Sequence, residues 1–358
     1  MRKSVKRKPK VKAEHQPGFQ IGDTRIAPGE RRVVELPVAA LYTHAAPLHL
    51  PVHVVCGTEM GPRIFLSAAI HGDELNGVEI IRRVVLHRAL RRRLCGVVVA
   101  VPVVNAFGMI QHSRYLPDRR DLNRSFPGTP TGSLAARLAY LMLEHVVKPC
   151  AYGIDLHTGS SHRANLPQIR ADLSDDETLA LARSFGVPVL INASVRDGSL
   201  RSEAAAAGVR MLLYEAGEAL RYDELAIRIG VEGVLNVMRG LGMITRRKTT
   251  PRGEPFVAHS STWVRAPSSG IVTAKCGLGD HVEEGDTLAE VSDPSDFFNG
   301  EPDRVMATAT GVIIGRTHLP LVNEGDALFH IARFEDAQGV AAEVASFHQD
   351  MFDPEQHY

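Results

Sequence analysis

From about residue 63 to residue 245 the chain alternates short apolar runs with longer segments of helical period, and no other feature restricts its fold as much. This is the pattern of strands joined by crossover helices around a buried parallel sheet. Five runs read as strands, over residues 64–70, 97–104, 153–156, 187–191 and 210–214. Between the first two, residues 74–93 put Val78, Ile81, Val85 and Leu86 on one side and several arginines on the other, as a long amphipathic helix does. Residues 134–147 and 222–239 behave similarly. The expected fold is therefore α/β, a mostly parallel central sheet flanked by helices. Ahead of it, residues 31–36 and 49–55 look like sheet-edge strands, where Pro51 is tolerated.

Helical periodicity stops near residues 246–253, where the composition turns polar. The expected organisation is a disordered basic tail over 1–24, an α/β domain over 25–245, a linker over 246–259, an all-β module over 260–335 and a C-terminal tail over 336–358. In the module, short strands alternate with Gly-Asp turns, and its second half weakly echoes the first. It resembles the biotinyl/lipoyl-like barrel-sandwich carriers. Those carriers hold their cofactor on a hairpin lysine, and residues 292–304 contain none, so a structural or gating role is expected.

Lysine plus arginine and aspartate plus glutamate balance at 41 each, so no overall field selects nucleic acid or an anionic membrane. The longest apolar run, residues 97–104, is too short to cross a bilayer. Cys56, Cys95, Cys150 and Cys276 form no Cys-x-x-Cys pair, which points to a reducing cytoplasm rather than a disulfide framework.

Chemistry concentrates at strand ends. His71-Gly72-Asp73-Glu74 follows the first strand of the alternating region, and a histidine and a carboxylate three residues apart can converge on one metal ion. Alone, that spacing is common at solvated helix starts. His157, at the end of the third strand, supplies a third donor, and in open α/β sheets both segments face one crevice. Two histidines and one glutamate make a catalytic zinc set with a free position for water. Glu215, ending an apolar strand, reaches the same crevice as a candidate general base, with Glu218 the weaker alternative beyond Gly217. His87, His112, His145 and His162 lack this context and read as packing or surface residues, and His53 reads as a strand residue. Residues 113–128 form an arginine-rich loop suited to a carboxylate or a developing oxyanion, although Arg119 and Arg120 read first as solvated partners of Asp118 and Asp121.

His71-Gly72-Asp73-Glu74, Asp121-Leu122-Asn123-Arg124, His157 and Glu215-Ala216-Gly217 occur in the order seen in the succinylglutamate desuccinylase/aspartoacylase family, a branch of the zinc carboxypeptidase superfamily, which this chain resembles over about residues 60–245. The resemblance implies one Zn2+ on His71, Glu74 and His157, with Glu215 as general base and then proton donor to the leaving amine. It also implies that Asn123 and Arg124 hold a substrate carboxylate. Arg114 would polarise the scissile carbonyl; its longer separation from Asn123 leaves Arg119 or Arg120 open for that role. The implied activity is removal of a small acyl group from an N-acylated amino acid or diamino acid. The alternatives are a zinc metallocarboxypeptidase and a non-catalytic carrier or interaction protein built on the β module. The implied partner is a small-molecule N-acyl amino acid, with no specific nucleic acid and no membrane; a homo-oligomer stays open.

Overall fold

The computed structural model describes residues 15–40, 47–193, 197–246, 254–295 and 300–352. The basic run ahead of residue 15 and half of the expected linker, residues 247–253, lie outside them. The elements that build the site are β1 (Arg31–Ala40), β2 (Pro47–Cys56), β3 (Glu59–Ala68), α1 (Asn76–Leu86), β4 (Cys95–Val101), α2 (Leu134–Leu141), β5 (Tyr152–Gly159), β6 (Arg163–Ala171), α3 (Asp176–Phe185), β7 (Val189–Asn192), β8 (Arg210–Glu218), α4 (Glu224–Gly240), β9 (Phe256–Ala258), β10 (Ser260–Arg265), β11 (Gly311–Thr317), β12 (Ala327–Arg333) and α5 (Ala337–Phe352).

One 13-stranded sheet runs in the order β10-β12-β11-β6-β8-β5-β3-β4-β2-β1, with β7 and β9 branching from β6 and a short strand, His281–Val282, pairing with β11. Its centre, β8-β5-β3-β4, is parallel. Every other neighbour on that path is antiparallel, so the sheet is mixed rather than mostly parallel. The cause is visible in connection length: only residues 160–162 separate β5 from β6, too few for the crossover that a parallel return needs. β4 is buried at every position, as its valine run requires of a strand covered on both faces. α1, α3 and α4 pack Ile80, Phe185 and Val234 on one face of the sheet. α2 packs Leu138 and Ala139 on the other.

Some boundaries differ from the sequence reading for local reasons. The helix expected over residues 74–93 begins at Asn76 and breaks at His87, whose extended backbone (ψ 140°) ends α1 while its ring accepts a bond from Ala89 N–H and starts a second short helix. β2 is an interior strand, yet Pro51 is tolerated because β4 pairs only with His53–Cys56 and leaves that side of Pro51 free. Residues 337–352, expected within a tail, form α5 and send Phe347 and Met351 into the main core. β9, inside the expected linker, pairs in parallel with β7. The all-β segment is not separate from the sheet: β11 pairs with β6, Gly315 opposite Asn165, while a second, four-stranded sheet closes a smaller core around Val291, Ile313 and Phe329.

α1 lies close on the sheet because Gly77 has no side chain; a Cβ there would fall 2.7 Å from the Cβ atoms of Ala68 and Leu156 and 2.9 Å from Leu156 O. A larger residue gains about 1 kcal/mol or less in helix propensity. It must also push the helix off backbone that cannot rotate away, and such overpacking costs about 1–3 kcal/mol. The second effect wins, so Gly77→Val should lower the urea midpoint with an unchanged m-value, and an unaltered midpoint would show that α1 does not need this approach.

Candidate functional site

The site starts from register. In the parallel pair β5/β8, His157 lies opposite Glu215 and Asp155 opposite Leu213, so two residues of each strand share one face. Ser67 of β3 lies opposite Asp155 and donates to its Oδ1 at 2.7 Å. Beyond β3 the backbone turns through Ala69, whose φ of 49° is left-handed, and the turn is pinned by Val104 N–H to Ala68 O and Asn105 N–H to Ala69 O. His71 and Glu74 then approach through a tight turn ahead of α1, closed by Glu74 N–H to His71 O, and not along a helix face. Asn76 opens α1, donates to Ala216 O and accepts from Asp223 N–H, which ties this turn to the end of β8.

The three predicted donors meet. His71 Nδ1 lies 2.7 Å from Glu74 Oε1, and His157 Nδ1 lies 2.7 Å from Glu74 Oε2. One donor atom from each residue falls within 4.8 Å of the others, and all three residues are buried. Behind the rings, His157 Nε2 is 2.6 Å from Asp155 Oδ2 and His71 Nε2 is 3.3 Å from Asp121 Oδ1. Carboxylates in those places favour the Nε2–H tautomers and turn both Nδ1 lone pairs inward, the usual support for imidazoles that hold a metal ion. Burial alone would lower both imidazoles; the carboxylates Glu74 and Asp121 override it for His71, and Asp155 and Glu74 push His157 well above its ordinary value. Burial likewise would raise Glu74, and the two rings hold it far below the usual carboxylate range. The cluster is thus built for charge, and its donor set of two nitrogens and one carboxylate suits a divalent cation such as zinc.

A cavity of about 860 Å³ opens on this cluster, and it is lined by Glu215, Arg114, Asn123 and Arg124 among others. Glu215 Oε2 accepts from Asn165 Nδ2 at 2.6 Å. Glu218 is turned elsewhere, 2.8 Å from His318 and 3.8 Å from Arg221. Arg114 reaches Asp121 at 2.9 Å and Glu74 at 3.5 Å. Arg120 pairs loosely with Asp118 at 3.8 Å, and neither it nor Arg119 lines the cavity. Asn123 Oδ1 accepts from Leu200 N–H, and Arg124 Nη1 donates to Asn123 O.

Of the lining or supporting residues that sequence reasoning missed, four are instructive. Asp155 stands two residues before His157 on one strand, so strand period alone could have found it. Asp121 was visible as the first residue of Asp-Leu-Asn-Arg. Trp263 and His330, from β10 and β12, stack at 4.5 Å and 10° in the cavity wall, a contact between strands that no local pattern announces.

Fold and cluster together define an α/β protein with a candidate metal centre at the carboxyl ends of its parallel strands. The pattern describing the Succinylglutamate desuccinylase/Aspartoacylase catalytic domain matches residues 60–241, and the chain belongs to that family. It is a hydrolase acting on amides, a deacylase. It is 27% identical over 319 residues to the N-alpha-acetyl-L-2,4-diaminobutyric acid deacetylase of Halomonas elongata, covering 86% of this chain and 92% of that one. Among solved structures, a succinylglutamate desuccinylase/aspartoacylase from Rhodobacter sphaeroides is similar at 25% identity and a TM-score of 0.75, over 85% of this chain and 95% of that one. The product-bound ectoine utilization protein EutE (DoeB) from Ruegeria pomeroyi shares the fold, with a TM-score of 0.77 at 21% identity over 90% and 99% of the two chains. Among the described residues no helix is long and apolar enough to cross a membrane.

His330 gives the cavity wall a pH dependence. Burial, then the nearby Arg170 charge, pushes its imidazole down to about 3, so the folded protein keeps it neutral. Unfolded, it titrates near about 6.5. Between those values the unfolded chain binds the extra proton, so this stability is full above about pH 6.5 and is lost as pH falls toward about 3. From pH 7 to pH 5 the loss is about 2 kcal/mol. His330→Phe keeps the stack on Trp263 and should flatten the pH dependence of the denaturation midpoint by that amount; an unchanged slope would mean that the ring is protonated in the folded state.

Proposed function

We propose that this protein is a zinc-dependent amidohydrolase that removes a small acyl group from an N-acylated amino acid or diamino acid. The observation that carries the reading is the convergence of His71 Nδ1, His157 Nδ1 and the Glu74 carboxylate beside Glu215, in a cavity that also receives Arg124. His71, Glu74 and His157 would hold the ion. When bound, zinc supplies Lewis acidity, which acidifies water and polarises a carbonyl.

The chain's own groups do the rest. Asn165 occupies Glu215 Oε2, leaving Oε1 to take a proton from the attacking water and deliver it to the leaving nitrogen. Arg124, with no carboxylate partner among the described residues, offers its guanidinium fork to a substrate carboxylate beside the Asn123 amide. Arg114, the one of the three candidate arginines that lines the cavity, supports the scissile carbonyl, and its pairing with Asp121 fixes it in place. Walls contributed by β10 and β12 suit a compact substrate better than a peptide end. The four free thiols support a reducing cytoplasm as its compartment.

The purified protein should contain about one zinc per chain, and His157→Ala should lose most of it. Stoichiometric zinc in that variant would remove His157 from the ligand set. Glu215→Gln should keep its zinc while turnover falls by roughly 10²-fold or more; near-normal turnover would put the proton on another carboxylate. Arg124→Lys should raise KM with zinc retained, because an ammonium has no coplanar pair of donors. Release of amino acids from C-terminal dipeptides, with N-acyl amino acids untouched, would make the protein a carboxypeptidase instead.

A further inference from the structure

We propose that a second pocket, which meets the main cavity at Arg114, receives the acyl group of the substrate, and that Asp73 within it selects a short hydroxyalkanoyl chain over acetyl and over the plain alkanoyl chain of equal length. The inference rests on the deacylase reading above and names its acyl class.

The pocket has a volume of about 380 Å³ and lies where the C-terminal strands meet the turn ahead of α1. Arg114, Ser160 and Arg163 border both this pocket and the main cavity, whereas Asn123 and Arg124 border the main cavity alone. A substrate with its carboxylate at Arg124 and its scissile carbonyl at Arg114 therefore directs the other substituent of that carbonyl, the acyl chain, toward the second pocket. Ligand pockets begin at about 300 Å³, so a methyl group leaves most of this one empty. The C-terminal segment supplies mainly apolar wall, with Val322 and Leu328 buried. Tyr115, Leu319 and Leu321 are exposed around the same pocket, and together they make a patch that a passing apolar chain would cover.

One lining residue is a buried acid. Asp73 belongs to the turn that carries His71 and Glu74 to the cluster, yet it lines this pocket and not the main cavity. Its carbonyl is pinned by Leu220 N–H at 2.7 Å, and Gly72 ahead of it lies so close to Gly108 that a Cβ would fall 2.1 Å from a backbone carbon. The turn therefore cannot withdraw the side chain. Ser161 Oγ donates to Asp73 Oδ2 at 3.2 Å, while Oδ1 is buried and has no hydrogen-bond partner. The other acids and arginines that border the pocket are engaged: Arg114 by Asp121, Asp326 by Asn323 N–H, and Arg163 against the Trp263 ring of the main cavity. A buried oxygen without a donor is costly. The carboxylate torsion is soft and two-fold, so Ser161 can keep one oxygen while the other meets a group in the pocket. An ammonium there would face two guanidiniums, and a carboxylate would face Asp73 and Asp326. A hydroxyl donates to Asp73 without either penalty and leaves the rest of its chain to the leucines. A plain alkanoyl chain fills the apolar wall but leaves Asp73 unpaired.

The test first screens amino acids as N-acetyl and N-(3-hydroxybutanoyl) derivatives, and then, on the amine released fastest, compares the acetyl, butanoyl, 3-hydroxybutanoyl and 4-hydroxybutanoyl forms. At least one hydroxybutanoyl form should be hydrolysed with a kcat/KM at least tenfold above both the butanoyl and the acetyl form. Asp73→Leu should bring the hydroxybutanoyl-to-butanoyl ratio to one or below. Leu321→Trp, which narrows the pocket, should lower the butanoyl and hydroxybutanoyl forms at least tenfold relative to acetyl. Both effects are ratios between substrates on one protein, so partial loss of folded or metal-loaded enzyme cancels from them. A crystal structure of the protein with the matching hydroxybutanoate should place its hydroxyl within hydrogen-bond reach of Asp73. A preference for acetyl or butanoyl, or ratios untouched in both variants, would overturn the proposal. If no N-acyl amino acid of either series is hydrolysed, the deacylase reading fails by itself. The crystal structure then decides the pocket: a hydroxyl on Asp73 supports it, and hydroxybutanoate bound elsewhere or not at all overturns it.

Discussion

The Glu74 carboxylate, with one oxygen on each of two imidazoles, is the interaction around which this protein is arranged. It brings together a turn after β3 and the end of β5, and it does so in a buried place where an unpaired charge would cost several kcal/mol. Nothing in the cluster is stable singly: the carboxylate requires the rings, and the rings require Asp155 and Asp121 behind them. The surrounding scaffold follows from that need. The left-handed turn at Ala69, the close approach at Gly77 and the Asn76 bridge to β8 each hold a loop that would otherwise drift.

What the sequence reveals of this depends on how local the cause is. The valine run of β4 and the alternation from residue 63 onward are local, and they announce strands and helices with boundaries a few residues off. His71, Glu74, His157 and Glu215 stand at strand ends, so a simple rule about crevices in α/β sheets gathers them. Strand direction is another matter. It depends on connection length and on which neighbour a strand finds, which is why the sheet is mixed where its core pattern suggests parallel. Trp263 and His330 sit about 100 residues or more beyond the histidine cluster in sequence, and only the pairing of β11 with β6 carries them to the cavity.

That pairing also changes the meaning of the C-terminal segment. Read by composition, residues 260–335 look like an attached module that resembles the carriers without their lysine; in the structure four of their strands join the central sheet, and two of those strands supply cavity wall. A wall made this way moves with the floor. Its side chains are positioned by backbone ladders and not by a hinge, which gives the site the rigidity that selective binding of a small substrate requires.

The continuity of the sheet has a consequence for how such a chain can be divided. Were the C-terminal strands removed, Arg163 to Asn165 of β6 would lose their ladder and become an open edge, with unpaired amides facing water beside a long apolar sheet. Such edges recruit strands from other molecules. The family pattern ends at residue 241, yet the physical unit does not end there: the remaining strands act as the seal on this part of β6.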